Sequence, residues 1–124
     1  MKTASDPRHL QRIKAMQELF AAGFSRKAKS DNQRVKEILA KIEKIDELIK
    51  KAAPARPIDK INRLDLAVLR QAVYELMFKD RIKVPPKVVL DEAIELAKEY
   101  GSDSSPSFVN GVLGKLITDQ NLLP

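Results

Sequence analysis

Hydrophobic residues recur at intervals of three and four along every long segment of the chain, and no segment alternates hydrophobic and polar residues with a period of two. The first spacing keeps apolar side chains on one face of an α-helix, whereas the second is typical of a β-strand. The pattern therefore predicts an all-α fold. The predicted elements are a helix between Asp6 and Gly23, a helix over about 31–51, a turn at 58–61, helices over about 64–79 and 86–99, and a last helix that begins at 104 or 105.

The first helix has recognisable boundary signals. Asp6 is a good N-cap residue, Pro7 fits the first helical position because its missing N–H costs nothing there, and Gly23 can end the helix. We predict a hydrophobic face that is buried and an opposite face of cations in solvent. The predicted buried face is Leu10, Ile13, Met16, Leu19 and Phe20, and the predicted solvent face holds Arg8, His9, Arg12 and Lys14.

The segment AAPARP at 52–57 is the clearest boundary in the chain. Its two prolines end one helix and cannot lie inside another. We predict one domain over 1–124, with a helical subdomain at 1–53 and a second at 58–124. A chain of this length can bury roughly two-thirds of its unfolded surface, so a stable core needs no metal or disulfide.

The positive charge is concentrated in the first half of the chain. The net charge is +6, with an excess of seven positive charges in residues 1–60 and of one negative charge in residues 61–124. Such a basic region attracts polyanions, and nucleic acid binds it with release of condensed counterions. A lysine-rich helix surface that serves only solubility is the alternative interpretation.

The residues needed for catalysis or metal binding do not occur in a recognisable pattern. The chain has no cysteine, His9 is its only histidine, and its four glycines form no phosphate-binding motif. We therefore predict that it is not an enzyme and has no cofactor or metal. The carboxylates of Asp91, Glu92, Glu95 and Glu99 follow helical spacing, and we interpret them as an exposed acidic face.

Two further predictions concern polar residues and location. Arg70 and Glu75 flank the hydrophobic face of their helix, so we expect them to link helices through partly buried ion pairs, and we expect Tyr74 and Tyr100 at the edge of the core. No segment has the length or hydropathy of a signal peptide or a membrane span, which predicts a cytoplasmic protein without membrane contact.

Two long motifs of the second half resemble a known family. They are RLDLAVLRQAVYELMF at 63–78 and VPPKVVLDEAIELAKEYGSDSSPSFVNGVLGKL at 84–116. Their order and spacing closely resemble the NusB family, and RHLQRIKAMQELF at 8–20 is similar to the family's first helix. The resemblance implies an all-helical fold of two small bundles and an RNA-binding adaptor of bacterial transcription antitermination. It also implies binding to single-stranded boxA RNA of ribosomal operons together with NusE, a ribosomal small-subunit protein, and an indirect association with the RNA polymerase elongation complex.

The resemblance also implies which residues bind. Carried over position by position, it assigns RNA binding to the first helix and to the SxxFVNG segment, and NusE binding to two positions elsewhere. An acidic residue of the family is replaced by Gly114, which removes a negative charge beside the proposed RNA path. The RNA-binding candidates are Lys2, Arg8, His9, Arg12, Lys14, Phe108, Asn110 and Lys115, and the NusE-binding candidates are Phe20 and Asp65.

Ordinary structural roles and two other functions stay open at this point. Phe108 could be a core residue, Asn110 could bond to the backbone near its helix start, and Lys115 could be ordinary surface. A NusB-like module of a ribosomal RNA methyltransferase is one alternative function, and the length of the native reading frame distinguishes it. A homodimeric protein-interaction module is the other, and it predicts that RNA binding does not depend on the first helix.

Overall fold

A computed structural model of the chain describes residues 6–23, 25, 27–79 and 84–122. Within these ranges the chain forms six α-helices and one 3-10 turn, with no β-strand, which confirms the predicted all-α fold. None of the described helices combines the length and hydropathy that a membrane crossing requires. The helices are α1 (Pro7–Ala22), α2 (Gln33–Ala40), α3 (Ile42–Ala52), α4 (Arg63–Met77), α5 (Pro86–Tyr100) and α6 (Ser105–Asp119), and the 3-10 turn is Ile58–Lys60.

The predicted ends of α1 are confirmed. The Asp6 carboxylate accepts a hydrogen bond of 2.9 Å from the backbone N–H of Arg8, and this bond lowers the pKa of Asp6 below its usual range. At the other end Gly23 has φ 57°, a left-handed conformation that glycine adopts without strain. Its N–H donates to the carbonyls of Leu19 and Phe20, so the last turn of the helix is closed.

The predicted single helix over 31–51 is wrong, because the chain bends at Lys41 and forms two helices, α2 and α3. The Asn32 side chain caps α2 by accepting a hydrogen bond of 3.2 Å from the N–H of Val35. Ile38 before the bend and Ile42 after it are both buried. The spacing of three and four thus continues across the bend, which explains why the hydrophobic pattern does not reveal it.

Helix α4 is the central element of the fold. All eleven residues from Asp65 to Glu75 are buried, and the helix packs against α1 and α3 as well as α5 and α6. The buried hydrophobic residues form one continuous core that includes members of every α-helix. The division into subdomains at 1–53 and 58–124 stays a prediction.

The predicted faces of α1 are confirmed for Met16 and Leu19, which are buried, and for Arg8 and Lys14, which are exposed, but they are wrong at four other positions. Leu10 is 43% exposed and Phe20 is 41% exposed, although both were assigned to the buried face. His9 and Arg12 were assigned to solvent, and each is only 4% exposed. The helix is therefore rotated so that two of its basic side chains point inward, and acidic groups on α4 and α5 explain this orientation.

Candidate nucleic-acid interface

Arg12 of α1 lies between two buried carboxylates from different helices. Its Nε and Nη2 atoms donate to Glu75 of α4 at 3.0 and 2.7 Å, and its Nη1 atom donates to Glu92 of α5 at 3.1 Å. Burial opposes the charge on Arg12, but its hydrogen bond and attraction to Glu75 and its attraction to Glu92 outweigh this and raise its pKa above the usual value. Arg12 thus joins three helices and has little surface left for a ligand.

Two neighbouring side chains complete this buried cluster. The Gln71 amide donates to the backbone carbonyl of Arg12 at 3.0 Å, and Arg34 of α2 lies 3.6 Å from Glu75. The prediction of an exposed acidic face on α5 is wrong for Glu92, which is 3% exposed. The prediction that Glu75 links helices through an ion pair is confirmed.

His9 lies one turn before Arg12 on the buried face of α1. Its Nδ1 atom lies 3.8 Å from a Glu92 oxygen, and its Nε2 atom lies 3.7 Å from a Glu99 oxygen near the end of α5. This contact places the start of α1 beside the end of α5. Because only residues 101–104 separate α5 from α6, the start of α6 belongs to the same end of the molecule.

The short connection between α5 and α6 is tightly built. A Cβ atom at Gly101 would come within 2.7 Å of the Ala97 carbonyl oxygen, so only glycine fits without a shift of the backbone. The buried Ser105 hydroxyl accepts a hydrogen bond of 3.0 Å from the N–H of Ser102. These contacts fix the direction in which α6 leaves α5, and with it the position of Phe108.

Arg8 and Lys14 are the predicted RNA-binding residues of α1 that the structure leaves in solvent. Both side chains are exposed, whereas His9 and Arg12 are buried. Lys2, another candidate, lies outside the described residues. Of the described candidates on α1, Arg8 and Lys14 are therefore the accessible ones, and the inward-facing pair holds the helix in place.

Phe108 is half-buried at the start of α6, and an arginine side chain packs against its ring. The guanidinium of Arg56, an exposed residue of the α3–α4 connection, lies 4.3 Å from the ring centroid. This distance is typical of a cation–π contact. The sequence pattern did not indicate Arg56, because a lone arginine between two prolines has no spacing that relates it to a residue 52 positions later.

Beyond Phe108, the solvent-facing side of α6 carries polar residues and glycines. Asn110 and Gly111 are exposed, and Lys115 forms an exposed ion pair with Asp119 at 3.1 Å. A Cβ atom at Gly111 or Gly114 would meet nothing within 4 Å. The two glycines thus leave the helix backbone open to close approach, at a cost of roughly 0.5 to 1 kcal/mol each relative to alanine.

The predicted partner-binding positions lie at the junction of α1 and α4. The exposed Phe20 ring has the Arg63 guanidinium 4.9 Å from its centroid, and Arg63 also donates to the Phe20 carbonyl at 2.7 Å. Asp65 is only 3% exposed, and its Oδ1 atom accepts no hydrogen bond from the described residues. Phe20 and Arg63 therefore form the accessible part of this surface.

Two more polar contacts connect α2 and α3 to α4. Arg70 donates to both Asp46 carboxylate oxygens at 2.9 Å, which confirms its predicted role as a link between helices. The Tyr74 hydroxyl donates to the Glu37 carboxylate. Burial and this hydrogen bond raise the pKa of Tyr74 to about 12.

Comparison with known proteins gives a consistent assignment. A family model described as the NusB family matches residues 8–118. The protein "Transcription antitermination protein NusB" of Alkaliphilus oremlandii is 37% identical over 117 residues, which are 93% of this chain and 81% of that protein. The protein of the same name from Chloroflexus aggregans is 50% identical over 74 residues, which are 60% of this chain and 49% of that protein.

A solved structure is also similar over nearly its whole length. T. maritima NusB superimposes with a TM-score of 0.80 at 30% sequence identity, covering 96% of this chain and 94% of that one. By sequence, the chain spans about half the length of several curated relatives that it matches.

Proposed function

The chain belongs to the NusB family, and from this membership we propose that it acts as an RNA-binding adaptor of bacterial transcription antitermination. The family is one of antitermination factors without catalytic activity. The proposed ligand is single-stranded boxA-type RNA, the proposed partner is NusE, and the proposed setting is the cytoplasm. RNA polymerase is reached indirectly, through the assembled complex.

The observation that carries the RNA proposal is the contact of the start of α1 with the end of α5, from which α6 follows after four residues. The contact between His9 and Glu99 fixes the start of α1 beside the end of α5, and the connection to α6 is only four residues long. Exposed Arg8 on α1 and the stack of Arg56 on Phe108 at the start of α6 therefore supply cations and an aromatic surface at one end of the molecule.

The proposed binding mode follows from these side chains. Arg8, Lys14 and Lys115 contact phosphates, which orients the strand without reading its sequence. An unstacked base then packs against the pair formed by Arg56 and Phe108, and Asn110 donates to or accepts from a base edge. Because protein cations release counterions when they neutralise phosphates, this mode predicts a strong dependence of affinity on salt.

His9 and Arg12 have a different role in this proposal. Their side chains are 4% exposed, so they hold α1 against α4 and α5 and thereby aim Arg8 and Lys14 at the RNA. Lys2 precedes α1 in the chain and remains a candidate for an additional phosphate contact.

The proposed NusE surface is the exposed Phe20 ring with Arg63 stacked on it. An aromatic side chain with an arginine is a common anchor of protein interfaces. Asp65, the other position that the family resemblance assigns to NusE, is 3% exposed and is therefore not part of the accessible surface that we propose. Binding of RNA to both proteins at once would strengthen the assembly, because the contacts are linked.

The test is a fluorescence anisotropy titration of boxA RNA with and without NusE at several salt concentrations. The three proposed phosphate contacts and the additional candidate Lys2 make about four. The slope of log affinity against log salt should then be roughly −3, since each contact to a single strand contributes about −0.7. Arg8→Ala and Lys115→Ala should each reduce the slope by about 0.7, whereas Lys44→Ala, at an exposed cation of α3, should leave it unchanged.

An affinity that is independent of salt would contradict the phosphate-contact mechanism. Affinity that is unchanged in the double variant Arg8→Glu, Lys115→Glu would instead favour the homodimeric protein-interaction alternative. Arg56→Ala distinguishes base stacking from phosphate contacts. If a base stacks on the Arg56–Phe108 pair, this variant should weaken RNA binding by about 1 to 3 kcal/mol.

A further inference from the structure

A surface cavity of about 460 Å³ lies between α1, α2 and the end of α4. Two cations line it, Arg34 of α2 and Lys79, which follows α4. Neither belongs to the RNA-binding mode proposed above. Both are only partly exposed, so the fold holds two positive charges in a concave site rather than on an open helix face. The full lining is Gln11, Asn32, Gln33, Arg34, Glu37, Tyr74 and Lys79.

The Arg34 guanidinium is held in place without a short ion pair. Its Nη1 atom is shielded from solvent, lies 3.6 Å from Oε2 of Glu75 and has no hydrogen-bond partner among the described residues. The two oxygens of Glu75 already accept hydrogen bonds from Arg12 at 3.0 and 2.7 Å. Because Nη1 is shielded, the 15% of the Arg34 side chain that remains exposed belongs to its other atoms, which line the cavity.

Lys79 lies in the same cavity under electrostatic repulsion. Burial lowers the pKa of Lys79, and the charges of Arg34 and Arg12 lower it further, whereas Glu75 and Glu37 oppose this effect. Lys79 forms no ion pair with the part of the chain that the structure describes. The fold thus keeps two cations together at the expense of the protonated state of Lys79, and a bound anion would relieve their repulsion.

The carboxylate in the lining, Glu37, is engaged by its neighbours. The Tyr74 hydroxyl donates to one of its oxygens, and the Gln33 side-chain amide donates to the other at 3.0 Å. These two hydrogen bonds lower the pKa of Glu37, so it stays ionised. With Arg34 and Lys79 positive and Glu37 negative, the ionised groups of the lining sum to one positive charge, which favours an anionic ligand.

The cavity adjoins the exposed cations of α1. Gln11, which is part of the lining, lies three residues after Arg8 and three before Lys14, so it is about 4.5 Å along the helix axis from each of them. Residues three apart are neighbours on a helix surface. A strand that contacts both Arg8 and Lys14 therefore passes the cavity.

We propose that Arg34 and Lys79 bind a phosphate group in this cavity, and that in the RNA complex it is a backbone phosphate of the strand held by Arg8 and Lys14. The RNA as the source of the phosphate rests on the proposed function. A planar guanidinium donates to two phosphate oxygens at once, and an ammonium group adds a point charge. Because phosphate contacts carry no base identity, the cavity sets the path of the strand and not its sequence.

The first experiment is the boxA RNA anisotropy titration with Arg34→Gln and Lys79→Gln. Each variant should weaken binding by about 5- to 10-fold and make the slope of log affinity against log salt about 0.7 less steep, as the loss of one phosphate contact requires. Lys36→Gln is the matched control, because Lys36 is an exposed cation of α2 outside the cavity lining. It should leave both quantities unchanged.

Two further variants distinguish a binding role from a structural one. Lys79→Gln should not lower Tm, because it removes a cation whose pKa folding lowers, and it keeps the test informative if Arg34→Gln is unstable. Glu37→Gln keeps an acceptor for Tyr74 but removes the negative charge of the lining. It should strengthen RNA binding by about 2- to 5-fold, an increase that damage to the fold would not produce.

The second experiment uses inorganic phosphate, which separates the cavity from the RNA function. In ¹H–¹⁵N NMR, sodium phosphate should shift the Arg34 side-chain Nε–H signal and the Lys79 amide signal saturably, with a Kd on the order of millimolar, and sodium chloride of equal ionic strength should not. The proposal is overturned if Arg34→Gln and Lys79→Gln both bind boxA RNA with wild-type affinity and slope. If the wild type binds no boxA RNA, the proposed function fails and the phosphate titration decides: saturable shifts support a site for free phosphate, and their absence overturns the proposal.

Discussion

Replacing Arg12 with methionine tests whether this cation is a structural residue. Methionine has a similar volume and is flexible, so the change removes the guanidinium without opening a large cavity. Glu75 and Glu92, both buried, then lose a guanidinium that donates to them at 2.7 to 3.1 Å. Breaking a buried ion pair from one side costs about 3 to 5 kcal/mol, and Arg34 at 3.6 Å from Glu75 offsets part of this, so we expect about 3 kcal/mol.

The measurement is urea unfolding followed by far-UV circular dichroism. A loss of about 3 kcal/mol corresponds to a decrease in Tm of roughly 10 °C for a domain of this size. Arg8→Met on the same helix is the control, because an exposed substitution should change the free energy of unfolding by no more than about 0.5 kcal/mol. Adding Glu75→Gln and Glu92→Gln to Arg12→Met should recover most of the loss, since no uncompensated carboxylate then remains in the cluster.

A loss of less than about 1 kcal/mol in Arg12→Met, which is the range of exposed ion pairs, would refute a structural role for Arg12. Such a result would mean that water or other groups satisfy both carboxylates, and that Arg12 is not needed to hold α1 in place.

Two other predictions concern α6 and α4. Gly114→Ala should raise the free energy of unfolding by about 0.5 to 1 kcal/mol, because an added Cβ meets nothing within 4 Å, and urea unfolding should show no stabilisation if the site is in fact crowded. Tyr74 has a folded-state pKa raised to about 12 from 10.0, so its contribution to stability is present below about pH 10 and is lost as pH rises through about 12. The ultraviolet absorbance titration of tyrosinate should contain a component near pH 12 that Tyr74→Phe removes, and the persistence of this component in the variant would contradict the assignment.

The sequence predicted the helices well because their boundaries have local causes. Asp6, Gly23 and the prolines act within a few residues of their own position, so their effects are visible in the chain order. The bend at Lys41 was missed because no local signal in the sequence marks it. Apolar spacing is unchanged across it, and only the packing of α2 and α3 on α4 requires it.

The orientation of α1 could not be predicted from its own residues. Hydrophobicity assigns Leu10 and Phe20 to the core, and charge assigns Arg12 to solvent. The outcome is the opposite, because Glu75 and Glu92 lie 63 and 80 residues further along the chain and meet Arg12 only in the folded protein. The family resemblance assigned functions to individual positions, but it carried no information on which side chains are buried in this chain.

The burial of α4 has a consequence for how the molecule moves. Over the eleven residues from Asp65 to Glu75, no side of this helix faces water. Its amide hydrogens can therefore exchange with solvent only when neighbouring helices separate from it, and such openings require energies close to that of global unfolding. The proposed RNA-binding and partner-binding surfaces are thus held by helices that pack on α4, which does not open without its neighbours.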